Sequence, residues 1–323
     1  MAFFVIALHT DPFMSYSNTI VYNIYRSLVN LAVPFFFVAS GFLLESQVHE
    51  GADIQYILRK HIKKIIKLYL MWNIIYFPLA LIGYKNSDST ILYAVMDYIR
   101  GLLFVGEHYN SWILWYLLST TYSLIFIAIC KKYCFSNKQI LGIGTFLWLW
   151  AVALTLVSKN MLSLNSEGLN SIVGIFIKFF LSGRIFTGIF YIPLGMTVYK
   201  MKKWNWKGSV ILIISEIILV SISDGVGYLY ELGRIIGTMG VLGIALDLNF
   251  KGNDIFKRIR GMSSTIYFIH LWIWTAAYTV LYGEKTYGMS IFLITLTASV
   301  FIAYCYEVLL VMRKEKMERS NLR

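Results

Sequence analysis

Charge is what this sequence has least of. Asp, Glu, Lys and Arg make up 14% of its 323 residues, where a soluble domain uses roughly 25% to cover its surface. With 58% hydrophobic residues and a mean hydropathy of +0.65, this scarcity excludes a soluble globular enzyme and predicts a polytopic membrane protein. Cysteine is nearly absent as well. Cys130, Cys134 and Cys305 show no C-x-x-C spacing, so no disulfide and no metal site is expected from them. There is no Walker-type phosphate loop, no G-x-S-x-G elbow and no H-E-x-x-H motif. ATP-driven transport, serine hydrolysis and zinc chemistry therefore lose support. No basic segment precedes the apolar opening, so no cleavable signal is expected. Repeats, heptads and low-complexity tracts are missing too, and a single membrane domain over 1–312 with a basic cytoplasmic tail at 313–323 is the simplest division.

What the sequence does have is long apolar runs. Segments near 28–45, 66–83, 112–130, 139–157, 184–200, 208–223, 229–248, 264–282 and 288–312 are long enough to cross a bilayer, which takes about 17–25 residues. The opening run to Thr10 is half a span. Counting it gives an all-α protein of about ten transmembrane helices, the first truncated. The net charge of +12 is no sign of nucleic-acid binding here, because every second loop is basic. Placing the 46–65 loop inside puts Lys131, Lys132, Lys138, Lys200, Lys202, Lys203, Lys207, Lys251, Lys257, Arg258 and Arg260 inside too, with Arg313, Lys314, Lys316, Arg319 and Arg323. That bias predicts cytoplasmic termini. The long external loops are then 84–111 and 158–183, the first holding an apolar stretch, 91–105, that reads as an interfacial or re-entrant helix.

Against this background His9 stands out, since it closes the run Met1-Ala-Phe-Phe-Val-Ile-Ala-Leu8 at the outer side. An ionisable group at membrane depth is costly and marks a functional site by default. Pro12 disfavours helical geometry at Asp11. The helix should break there, and the carboxylate could fold back to orient the imidazole as a general base. A His at the lipid–water interface beside a solvated Asp11 is the plain alternative. Arg184 opens its helix and either snorkels or meets an anion. Glu231 and Arg234, three apart, suit an intrahelical ion pair. Glu216 lies mid-span and needs a buried partner. His270 is expected toward the inner side, at a depth comparable with Glu45, Asp247 and Glu307. The basic loops suit an anionic donor such as coenzyme A or, equally, anionic lipid head groups.

The stretch Asn30-Leu-Ala-Val-Pro34-Phe-Phe-Phe-Val-Ala-Ser40-Gly41-Phe42 resembles the second-helix signature of the acyltransferase 3 family. His9 upstream, Trp115-Tyr116-Leu117, the Arg184 segment and Tyr267-Phe-Ile-His270 fit the same family, so the resemblance covers nearly the whole chain. It implies a bacterial inner-membrane protein that moves an acyl group, usually acetyl from acetyl-CoA, onto an extracytoplasmic glycan, glycolipid or peptidoglycan. Acyl-CoA is then a substrate, and no cofactor is bound permanently. The membrane domains of glycopeptide-resistance serine/alanine racemases look similar. By resemblance His9 is the essential first-helix histidine, aided by Asp11 and Arg184. Ser40, Gly41, Phe42, Trp115, Tyr116, Glu216 and His270 are candidates for binding donor or acceptor. The family's arginine eleven residues before the histidine would precede Met1, which predicts a start upstream of this one. A histidine often found two residues before the fourth-helix tryptophan is Ile113 here, with His108 nearby but out of register. Carriage of a polysaccharide or small amino acid, and a non-catalytic scaffold, are the competing classes.

Overall fold

The computed structural model describes residues 1–17, 19–51, 53–87, 90–158, 167–180, 183–201, 204–223, 227–248 and 254–321. Lys202, Lys203, Lys251 and Arg323, which belong to the basic-loop expectation, lie outside them, as do the side chains of Lys314, Lys316 and Arg319. Among the described residues the chain is helical throughout, with no strand, and it packs as two compact units, Met1–Ala32 with Leu248–Arg323 and Val33–Asp247.

The first unit holds α1 (Ala2–Thr10), α2 (Ile20–Asn30), α12 (Asp254–Leu281) and α13 (Met289–Asn321). α1 is only about 14 Å long at 1.5 Å per residue, and so short a helix is marginal alone. Burial holds it: Ala2 and Ile6 pack with Ile266 of α12 and Ala303 of α13, bordered by Met262, Phe292 and Leu296. α13 runs unbroken to Asn321, so the basic tail continues the last helix.

The second unit holds α3 (Ala32–His49), α4 (Ile54–Lys85), α5 (Ile91–Arg100), α6 (Trp115–Lys132), α7 (Asn137–Ser158), α8 (Glu167–Phe180), α9 (Ile185–Val198), α10 (Trp206–Ile222) and α11 (Gly227–Asp247). Its centre is α9, where Tyr191, Ile192 and Met196 are fully buried. Neighbouring backbones press directly on this helix. A Cβ at Gly41 would collide with the Ile192 carbonyl, one at Gly195 with that of Val38, and one at Gly144 with that of Ile189. Ile189 is four residues before Pro193, whose ring nitrogen has no hydrogen to offer that carbonyl.

Eight of the nine full apolar segments each coincide largely with one helix, 28–45 straddles the break at Leu31 between α2 and α3, and the all-α membrane architecture stands. By length and hydropathy alone six helical stretches qualify as spans among the described residues, or seven if α8 and α9 form one bent span. The helix expected at 91–105 is present, and two further helices lie largely outside the apolar segments. Residues 91–105 do form a helix, α5, which widens into a five-residue π turn, Gly101–Val105. The 158–183 loop contains α8, tied to α5 by the Arg100 guanidinium on the Lys178 carbonyl at 3.2 Å. Running into the start of the 28–45 segment is α2, whose Tyr22 amide donates to the capping Thr19 hydroxyl. Its polar residues Asn23, Arg26 and Asn30 recur at helical spacing, a pattern that mean hydropathy averages away.

Candidate active site

In the first unit α1 ends where Pro12 predicts. Asp11 takes a left-handed conformation, φ 42° and ψ 66°, one that a short polar side chain tolerates. His9, in the last turn and half-buried, stacks on His270 of α12 with ring centroids 5.4 Å apart and 24° between planes. The expectation that put His9 at the outer side and His270 toward the inner side is corrected as a pair, because the two rings lie at one depth. α12 begins at Asp254, ten residues before the apolar stretch, so His270 lies past the helix midpoint and level with His9. Its ring is fully buried, and Nδ1–H donates to the carbonyls of Tyr267 at 2.7 Å and Ile266 at 3.2 Å. A carbonyl only accepts, so that bond fixes the tautomer and leaves the lone pair on Nε2. Nε2 has no hydrogen-bond partner among the described residues.

The bonds of Asp11 run to α2. Its Oδ2 accepts the Tyr22 hydroxyl at 2.8 Å and faces the Arg26 guanidinium at 3.8 Å, while Oδ1 is buried with no hydrogen-bond partner among the described residues. Tyr25, one helical turn on, donates its hydroxyl to the Ala7 carbonyl at 2.7 Å. Sequence reasoning missed Tyr22, Tyr25 and Arg26, because most of α2 precedes the first full apolar segment and carries no hydropathy signal of its own.

In the second unit the arginine does more than snorkel. Arg184 sits at the N-terminus of α9, 3.2 Å from Glu107 and 5.9 Å from the centroid of the Trp115 ring. That joins two predicted residues and adds one the sequence did not suggest, 77 positions away. The first turn of α9 is pinned by α6: the Ser119 hydroxyl donates to the Ile185 carbonyl and accepts the Gly188 amide, and Ser123 donates to the Gly188 carbonyl. Burial raises the Glu107 carboxyl above the ordinary range, a shift that Arg184 opposes. His108, next in the loop, stacks on Tyr98 at 4.1 Å, and burial pushes its pKa down to about 4, against the pull of Asp97.

The Pro34–Phe42 element is a packing seam. The Ser40 hydroxyl donates to the Phe36 carbonyl at 2.7 Å and stands 3.5 Å from the Tyr116 hydroxyl. Phe37 lies against both Trp115 and Tyr116, and Phe42 meets Tyr199 edge-on at 5.0 Å. Gly41 serves the crossing with α9. Glu216 is fully buried on α10, where its carbonyl faces Gly233 of α11. Glu231 and Arg234 form the expected intrahelical pair at 3.1 Å.

Comparison with known proteins matches residues 1–308 to the family described as an acyltransferase domain. Two amino-acid racemases of Enterococcus faecalis are similar in part. One is 32% identical over 114 residues, which is 35% of this chain and 15% of the racemase. The other is 28% identical over 110 residues, 33% of this chain and again 15% of the relative. This chain thus covers far less than two thirds of either relative. No solved structure matches.

Proposed function

Because the chain belongs to the acyltransferase family whose pattern spans residues 1–308, we propose that it is a membrane O-acyltransferase. The group moved is acetyl, the donor a cytoplasmic acyl-CoA, and the acceptor a hydroxyl of an extracytoplasmic cell-envelope glycan, glycolipid or peptidoglycan. The protein sits in a bacterial inner membrane with both termini cytoplasmic, as the basic loops favour.

The observation that carries this reading is the imidazole pair at the end of α1, His9 stacked on His270. Acyl transfer to an alcohol needs a base near neutrality, and imidazole is the side chain suited to it. His9 takes the hydroxyl proton as the acceptor oxygen attacks the acyl carbonyl. The tetrahedral intermediate then collapses, the C–S bond breaks, and the proton passes to the departing thiolate. His270, with Nδ1–H held by two carbonyls, keeps a fixed face against the His9 ring. Arg184 gives an anionic group a guanidinium at a helix N-terminus, where the backbone also favours negative charge. An anion there competes with Glu107 for that guanidinium.

The test is acetyl transfer from labelled acetyl-CoA to an envelope acceptor by the purified protein in proteoliposomes. His9→Ala should abolish transfer while the protein stays folded, as judged by its thermal unfolding. Full activity in that variant rejects the reading. Substrate flux without consumption of acetyl-CoA would favour a carrier instead.

A further inference from the structure

A nine-residue helix carries His9, and a helix so short is held by its surroundings more than by its own hydrogen bonds. Its last turn is also where backbone carbonyls run out of intrahelical donors. In this chain the Thr10 carbonyl at that end, and the Ala7 carbonyl, which also accepts the Asp11 amide at 2.9 Å, receive donors from other elements. The Tyr25 hydroxyl of α2 binds the Ala7 carbonyl at 2.7 Å, and the Gly288 amide binds the Thr10 carbonyl at 2.8 Å. The bonded carbonyls flank His9, one two residues before it and one directly after.

Both donors are themselves held. The Tyr25 ring meets Phe13 edge-on at 5.0 Å, just past the break at Asp11. Gly288 ends the connection between α12 and α13 with φ 116°, a value that strains any residue with a Cβ. That connection is strapped back to α12. Trp274, 1% exposed, donates Nε1–H to the Thr286 carbonyl at 3.1 Å, and the Lys285 ammonium lies over the Trp274 and Tyr287 rings at 5.2 and 5.6 Å. Trp274 lies one turn beyond His270 on the same helix. The scaffold that presents His270 therefore also holds the strap that binds the residue after His9.

We infer that Tyr25 and Trp274 are positioning residues for acyl transfer: their bonds to the end of α1, direct for Tyr25 and through the 284–288 strap for Trp274, set the direction of the His9 ring against His270. The inference rests on His9 being the base. A clamp of this kind acts on the chemical step and leaves substrate binding alone, because neither group has to touch substrate. Displacement of a reacting group by about 1 Å can cost on the order of a hundredfold in rate.

Tyr25→Phe removes one hydroxyl and keeps the ring. Measured in proteoliposomes beside wild type and His9→Ala, it should lower kcat by tenfold or more and leave KM for donor and acceptor within twofold. Its melting temperature should stay near that of wild type. Trp274→Phe, which keeps a ring but loses the indole N–H, should show the same split and serves if Tyr25→Phe fails to fold. If His9→Ala is inactive while Tyr25→Phe keeps full kcat, the inference is overturned and the base assignment survives. If Tyr25→Phe raises KM and spares kcat, the inference is overturned in favour of a binding role. If His9→Ala stays active, both ideas fail together.

Discussion

The imidazole of His9 lies 5.4 Å from that of His270 and within 24° of parallel, although the two are 261 positions apart in the chain. The buried member is bonded through one nitrogen to its own helix, and the half-buried member ends a helix of nine residues.

Replacing His270 by Gln should leave the protein folded and reduce acyl transfer by at least about tenfold, the scale of a disturbed base. His270→Ala differs in kind. It empties space behind a fully buried ring and should cost about 2–4 kcal/mol as well. Transfer assays run alongside thermal unfolding in detergent separate the two effects. Equal activity of His270→Gln and wild type would show that the stack has no part in the chemistry.

Gly41 and Gly195 make a second prediction, about stability. Alanine at either site sets a methyl group against a backbone carbonyl of the facing helix, which a rotamer change cannot relieve. Each should destabilise by about 1–3 kcal/mol, the usual cost of overpacking. Gly142, with open space around its Cβ position, is the control, and Gly142→Ala should be neutral or slightly stabilising in the same helix-rich background. A melting temperature for Gly41→Ala equal to that of Gly142→Ala would contradict the seam.

The third prediction concerns pH. His108 is held down at about 4 by burial, below the ordinary 6.5. Between those values the unfolded chain binds more protons at this site than the folded chain. Stability should therefore be fully present above about pH 6.5 and decline as pH falls toward 4. His108→Phe keeps an aromatic ring on Tyr98 and removes two buried nitrogens that have no hydrogen-bond partner among the described residues. Relative to wild type it should gain more stability at pH 5 than at pH 7.5. Melting temperatures at the two values decide it, and a gain independent of pH would refute the assignment.

Much of the helix plan was legible because membrane helices announce themselves by sustained hydropathy, and Pro12 announced the end of α1. The polar ends of helices were less visible. The first turns of α12, with Lys257, Arg258 and Arg260, look like loop to a hydropathy window, which hid that His270 and His9 share one depth. α2 failed for a related reason, since an amphipathic helix averages to nothing. That hid Tyr22, Tyr25 and Arg26, the residues that engage Asp11 and α1. The motif around Pro34–Phe42 was recognised, yet its glycine works by backbone contact with α9, which sequence spacing cannot announce. Arg184 was legible as costly, whereas its partner Glu107 was hidden by sequence distance.

The contacts of α9 through Gly41, Gly144 and Gly195 are made largely by main-chain atoms of its neighbours. Main chain is common to every sequence, so such a crossing places few demands on the side chains beside it. Residues around the seam can drift while the helices keep their spacing, provided that the glycines themselves stay. A search for distant kin of this chain should therefore weigh the positions with no side chain above the aromatic residues that fill the space between them.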